Sequence, residues 1–175
     1  YKRSTNCTTN SMSYQIIDNF LPYHLFIPLK SEIVNNKYFS WNYISSLNSE
    51  QKTTDLSMYL IHMVYLKHEP LSYLWESFKD IVELLPELKA LIRIKVNFYP
   101  VTSTLTEHAV HTDDDFTHKG AVLSLTTCDG YTKLEDGTKI DSVENRLVIF
   151  DAGKPHNSTS TTTTIGRYNI NFNYM

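Results

Sequence analysis

His111-Thr112-Asp113 sets an imidazole and a carboxylate two residues apart. On a β-strand, side chains at i and i+2 point to the same face, so both groups can reach one metal ion. His156, on a distant strand, would add a second imidazole and complete a two-His-one-carboxylate facial set. Such a set leaves three coordination positions open and is the donor pattern of non-haem Fe(II) chemistry. Arg167 follows eleven residues after His156 and brings a cation.

Each element has a plainer alternative. Histidine-x-aspartate is a common pattern, and a lone histidine is more often structural than metal-bound. His111 stands out because a carboxylate is two residues away and the segment lies in the strand-rich half. His156 follows the strand 147–151 and the rigid Pro155, against the alternative of a surface histidine beside the Ser/Thr run 158–164. His108 and Asp114 stand close enough to leave the ligand register open. The i,i+2 spacing favours His111 with Asp113, leaving His108 to support a ligand or face a substrate. For Arg167, a turn within 158–166 between two antiparallel strands would return it towards the metal. A buried guanidinium there could fork onto a carboxylate. An exposed strand position is the alternative, although Tyr168, Ile170 and Phe172 do not suggest a highly charged surface.

The scaffold that would position these residues can be read from periodicity. Residues 16–21 read as a short strand leading into a turn, and 23–34 as an amphipathic helix with Leu25, Phe26, Leu29 and Ile33 on one face. Residues 38–44 look extended, and 58–66 form an apolar run suited to a strand. The clearest helix spans 71–85, with Pro70 ahead of it and Pro86 at its end. From 92 onward the pattern changes to strands: 92–99, 120–127, 147–150 and 166–174. Asp129-Gly130 and Asp136-Gly137 are turn dipeptides of the kind that join antiparallel strands. About seven short strands in the C-terminal half suggest a sandwich, jelly roll or barrel. With helices first and strands later, the class is α+β, mainly β, with helices buttressing one face of the β core.

Composition narrows the function classes. A chain of 175 residues fits one domain. Its 12 tyrosines and 8 phenylalanines against 5 glycines favour β structure. A net charge of −3 gives no electrostatic footprint for nucleic acid. Cys7 and Cys128 match neither a disulfide framework nor a zinc pattern, and read as reduced cysteines of an intracellular protein. No apolar run approaches the ~20 residues that cross a membrane, and residues 1–13 lack the apolar core of a secretory signal. No membrane association and a cytoplasmic location are therefore expected.

Together these elements resemble the 2-oxoglutarate- and Fe(II)-dependent dioxygenases, specifically the prolyl-4-hydroxylase-like branch in its small phage and marine microbial form. The resemblance covers most of the chain and is most specific from Tyr99 to Tyr174. It rests on Arg93-Ile94-Lys95-Val96-Asn97-Phe98-Tyr99-Pro100, on the histidine-x-aspartate motif, on His156, and on the ending Arg167-Tyr168-Asn169-Ile170-Asn171-Phe172-Asn173-Tyr174. Residues 16–21 and the Trp41 region resemble the N-terminal part. The resemblance implies a double-stranded β-helix, a cupin-like jelly roll, with a metal at its open end. It implies Fe(II) held by His111, Asp113 and His156, and the co-substrate 2-oxoglutarate held by Arg167 and Tyr99. O2 would be the oxidant, ascorbate an optional reductant, and succinate and CO2 the by-products. It further implies a single domain over 1–175: a loose arm (1–13), helical and strand support (14–90) and the catalytic jelly-roll core (91–175). Its setting would be the cytoplasm of a microbe or of a virus-infected host cell.

Ser124 departs from the pattern, standing where relatives often place a tyrosine on the co-substrate. Asp113 argues against a halogenase, whose iron leaves that position vacant. Nucleobase dealkylases usually carry a second arginine where this chain has Asn173, which disfavours a nucleic-acid substrate. The implied substrate is a prolyl or other amino-acid side chain in a peptide or protein. A free amino acid or other small molecule stays open, as does a non-catalytic metal-binding jelly-roll module.

Overall fold

Strands in which polar and apolar residues alternate have one face to bury and one to place elsewhere. Two apolar surfaces are needed to seal such a sheet into a core. The computed structural model describes residues 14–44 and 58–175. The expected arm 1–13, with Cys7, lies outside the described residues. In chain order the elements are β1 (Tyr14–Ile17), α1 (Tyr23–Lys30) continuing into a π-helical turn (Ser31–Asn35), β2 (Asn42–Ile44), β3 (Tyr59–Leu66), β4 (Glu69–Pro70) and α2 (Trp75–Val82). Then follow β5 (Leu91–Pro100), β6 (Lys119–Ser124), β7 (Tyr131–Leu134), β8 (Lys139–Asp141), β9 (Leu147–Asp151), β10 (His156–Ser158) and β11 (Gly166–Tyr174).

The strands form two sheets. The larger runs β1-β9-β6-β11-β5-β3-β2, with β4 paired on β3, and the smaller runs β10-β7-β8. Every strand pair is antiparallel. One face of the large sheet, carrying Ile94, Leu123, Leu147, Ile170 and Phe172, packs under the helices against Phe26, Leu29, Ile33, Phe78 and Ile81. From the opposite face, Val122, Val148 and Phe150 meet Leu134 and Ile140 of the small sheet. This is a jelly roll with helices buttressing its large sheet, mainly β as the periodicity predicts.

Several local expectations need correction. The first strand is Tyr14–Ile17 rather than 16–21, because the chain beyond it is drawn into a turn. Asn145 fixes that turn by accepting from Leu21 N–H and donating to Leu21 O, both at 2.9 Å. Helix α2 begins at Trp75, not at 71, since Pro70 is taken up in β4 and Ser72 Oγ accepts Leu74 N–H at 3.1 Å. Gly137, with φ +85°, does close the β7–β8 hairpin. Asp129-Gly130 closes none: it lies between β6 and β7, which belong to different sheets. There the Asp129 carboxylate collects the hydroxyls of Thr161, Thr162 and Thr163. Among the described residues no helix is long and apolar enough to cross a membrane.

Candidate metal centre

The inner faces of β5 and β11 carry unusual side chains for a buried sheet. In register, Arg93 faces Asn173, Lys95 faces Asn171, Asn97 faces Asn169 and Tyr99 faces Arg167. Their alternate neighbours (Ile94, Ile170, Phe172) pack under the helices. The alternation therefore turns polar groups inward, between the two sheets. A polar interior needs partners, because an unsatisfied buried polar group is costly.

His111 and His156 face each other across one antiparallel bridge. Each backbone N–H donates to the other residue's carbonyl at 2.9 Å, and the ring centroids stand 4.6 Å apart. His111 is thus held by an isolated bridge and not by a regular strand, as the i,i+2 argument had assumed. Asp113 sits beyond it in a bend, fixed by its N–H to Ala152 O at 3.0 Å. The result is still convergence. The potential ligand atoms of His111, Asp113 and His156 all lie within 4.8 Å of one another. Asp113 Oδ1 is 3.9 Å from His111 Nε2, and Asp113 Oδ2 is 4.0 Å from His156 Nε2. Adjacent ligands of an ion bound at ~2.1 Å sit roughly 3 Å apart, so drawing these atoms onto one ion closes separations by about one to two ångströms.

The protonation pattern suits a cation. Nδ1 of His156 is 2.9 Å from Lys154 O, and Nδ1 of His111 is 3.3 Å from Ala109 O. A carbonyl can only accept, so the proton is assigned to Nδ1 and each Nε2 offers its lone pair to the centre. Burial, followed by the neighbouring His156, lowers the His111 pKa and favours neutral imidazole. For Asp113, burial alone would raise the pKa. The Arg93 guanidinium, the Asn173 amide and the Lys95 charge outweigh it and hold the carboxyl well below the usual carboxylate range. Asn173 and Asn171 donate to Asp113 Oδ2 at 2.8 and 3.2 Å.

A cavity runs from this triad along the inner sheet face, lined by Lys95, Asn97, Tyr99, His111, Thr132, His156, Ser158, Asn169 and Asn171. Behind Thr132 and Ser158 of its wall lies Arg167, 1% exposed. Its Nη2 donates to Thr132 Oγ1 at 3.0 Å, its Nη1 donates to Ser158 Oγ, and the Tyr99 ring covers it at 5.8 Å. Burial works against this charge and pushes its pKa down. Among the described residues Arg167 has no carboxylate partner, and its buried Nε has no hydrogen bond. An unpaired buried guanidinium costs free energy unless an anion joins it. The expectation that a hairpin returns Arg167 beside His156 is corrected here. β10 and β11 lie in different sheets, and Arg167 arrives by a crossover. Its chain also passes Gly130, where any Cβ would lie 2.6 Å from Ser160 O and 2.8 Å from Arg167 Cδ.

The other residues weighed from the sequence lie elsewhere. His108 is buried against the Tyr99 ring at 4.9 Å, outside the triad. Asp114 is 39% exposed and points towards His118 at 3.9 Å. Ser124 receives the Ser142 hydroxyl at 3.2 Å and does not line the cavity. Arg93, Lys95, Asn171 and Asn173 were not singled out from the sequence as site residues. Their one signal was a polar residue at every second position of 91–100 and 166–174.

The sequence matches no family model and no curated protein. The structure is similar to a Pseudomonas putida prolyl-4-hydroxylase, with a TM-score of 0.61, 17% identity, and coverage of 93% of this chain and 92% of that one. It is similar to a Trichoplax adhaerens prolyl hydroxylase solved with a hypoxia inducible factor oxygen degradation domain peptide (TM-score 0.67, 17% identity, 95% and 84% covered). A 2OG-Fe(II) oxygenase family member from Burkholderia pseudomallei gives a TM-score of 0.67 at 7% identity, with 94% and 85% covered. The fold is that of the 2-oxoglutarate/Fe(II) oxygenases. Within this double-stranded β-helix, His111 and His156 line a cavity whose wall also includes Thr132 and Ser158, the hydrogen-bond partners of Arg167. The donor set, one carboxylate and two imidazoles, fits Fe(II), and the orphaned Arg167 Nε fits a bound carboxylate.

Proposed function

We propose that this chain is a 2-oxoglutarate- and Fe(II)-dependent oxygenase that hydroxylates a prolyl or other amino-acid side chain in a peptide or protein. The observation that carries this reading is a convergent His-Asp-His triad whose histidines line a cavity walled also by Thr132 and Ser158, the partners of a fully buried arginine that has no carboxylate partner among the described residues. His111, Asp113 and His156 would hold the iron through Nε2, a carboxylate oxygen and Nε2. Iron held there supplies the oxidising chemistry, in which 2-oxoglutarate and O2 are consumed, succinate and CO2 are released, and one oxygen atom goes to the substrate.

The remaining work belongs to the protein. The Arg167 fork takes the distal carboxylate of 2-oxoglutarate, and Thr132, Ser158 and the Tyr99 ring keep its plane fixed. Arg93, Asn171 and Asn173 hold the Asp113 carboxylate in one orientation before any ion arrives. The polar cavity wall replaces bulk water around the co-substrate, which strengthens each of these contacts. The His111 side chain, 20% exposed, marks the side open to a substrate. The peptide solved with the Trichoplax adhaerens protein supports a peptide as the class of substrate to test first.

The test is succinate production from 2-oxoglutarate that depends on added Fe(II), followed by a screen of peptide and amino-acid pools for a gain of one oxygen atom. Turnover that requires both iron and O2 is expected. Fe(II) binding without any succinate would favour a non-catalytic module, and oxygen gained only by free amino acids would move the substrate class.

A further inference from the structure

Lys95 is the one cavity-lining cation that the proposed reaction leaves unused. It projects from the inner face of β5 into the cavity that His111, His156 and Tyr99 also line. Among the described residues its ammonium forms no ion pair or hydrogen bond, and the Asp113 charge acts on it only at longer range. Across the register, Asn171 leaves its Oδ1 without a partner as well. Burial, its largest influence, pushes the Lys95 pKa down to about 8, and the Arg93 charge acts in the same direction.

Charge and geometry together identify what is missing. Of the inward cations on β5 and β11, Arg93 is neutralised by Asp113 at 2.8 Å. Lys95 and Arg167 remain, and among the described residues neither has a carboxylate in an ion pair with it. Lys95 stands four residues from Tyr99, the position that faces Arg167. At ~3.3 Å per residue this is roughly 13 Å along the strand, and two long side chains reaching inward bracket a short dianion between them. Lys95 is at the triad end of that bracket and Arg167 at the other.

We propose that Lys95 binds the keto-acid carboxylate of 2-oxoglutarate, so that the co-substrate is held by a cation at each end. This rests on the oxygenase reading above. It makes Lys95 a positioning residue for the end of the molecule that must meet the metal, whereas Arg167 serves the end that must not move.

Direct binding tests it on Mn(II)-loaded protein, using 2-oxoglutarate, pyruvate (the keto-acid end alone) and butyrate (the distal carboxylate alone). A charged hydrogen bond contributes ~1.5–3 kcal/mol, so K95M should weaken 2-oxoglutarate and pyruvate by roughly tenfold to a hundredfold and leave butyrate unchanged. R167M should show the reverse: weaker 2-oxoglutarate and butyrate, with pyruvate unaffected. Mn(II) affinity in the absence of ligand should not fall in K95M, because the substitution removes a positive charge that acts on Asp113 and His111. K95Q is the second variant where K95M does not fold. K95M binding 2-oxoglutarate and pyruvate as tightly as wild type overturns the assignment alone, as does an equal loss for pyruvate and butyrate. Wild-type protein that holds Mn(II) but binds no 2-oxoglutarate overturns this assignment and the oxygenase reading together.

Discussion

Arg93 Nη2 lies 2.8 Å from Asp113 Oδ1, in a pair whose carboxylate side chain is only 3% exposed. With Asn171 and Asn173 on the other oxygen, the proposed ligand carboxylate is satisfied by the protein itself. Its orientation is therefore set by the fold and not by a cation. The same arrangement puts a fixed positive charge beside the place where a dication would bind.

Replacing Arg93 by Met separates these two roles. Removing one partner of a buried pair costs about 3–5 kcal/mol, and the two asparagine amides should keep the loss near the lower end. At 2–4 °C per kcal/mol for a chain of this size, the melting temperature in chelator should fall by about 6–12 °C. Excess Mn(II) should then raise it more in R93M than in wild type, because the ion now replaces the missing cation. Equal Mn(II)-induced shifts in the two proteins would show that Arg93 and the metal do not compete for the carboxylate.

Gly130 tests the other end of the cavity. A methyl group there meets the Ser160 carbonyl and the Arg167 side chain at under 3 Å. Backbone cannot yield cheaply, so the arginine should move. G130A should weaken 2-oxoglutarate binding by at least about tenfold, equivalent to ~1.4 kcal/mol, with Mn(II) affinity unchanged. Calorimetric titration of each ligand checks this, and a parallel loss of Mn(II) would mean that the whole cavity had collapsed.

The fold was legible because its signals are local. The alternation in 92–99 and 166–174 predicted β5 and β11, and the stretch 71–85 between Pro70 and Pro86 predicted a helix that contains α2. The triad was legible because its members are chemically distinctive. The site's supporting groups were not. A strand with a polar face towards water and one with a polar face towards a cavity have the same period of two, so Arg93, Lys95, Asn171 and Asn173 look like surface residues. Crossovers hid the rest. Gly130 read as a hairpin turn, yet its role is close approach to a side chain 37 positions away in sequence, which no local pattern encodes.

The helices should matter to stability and not to the chemistry. Phe78 is fully buried and packs on Phe172 of β11, with ring centroids 6.0 Å apart. Truncating a buried phenylalanine costs about 3–5 kcal/mol. F78A should therefore lower the melting temperature by roughly 6–20 °C while the folded fraction still binds 2-oxoglutarate with wild-type affinity. Phe172 is on the helix side of β11, with Asn171 and Asn173 facing the cavity, so the expected effect stops at the sheet. A large loss of 2-oxoglutarate affinity in folded F78A would show that helix packing sets the register of the inner face.

The ligand register is decided by His108 against His111. Both precede Asp113 within five residues, and either imidazole was admissible on sequence grounds. His108 N–H donates to Ser158 O at 2.9 Å, and its ring lies on Tyr99, at the Arg167 end of the cavity. His111 instead exchanges two backbone hydrogen bonds with His156 and brings Nε2 towards Asp113. H111A and H156A should each weaken Mn(II) binding beyond the ~10–100-fold that losing a supporting partner costs. H108Q should hold Mn(II) within a few-fold of wild type and lose affinity only for 2-oxoglutarate, through the Tyr99 ring it supports. Mn(II) titration of the three variants, read by the bound-ion relaxation signal, separates them. Retention of tight binding by H111A with loss in H108Q would shift the register by three residues and overturn the triad as drawn.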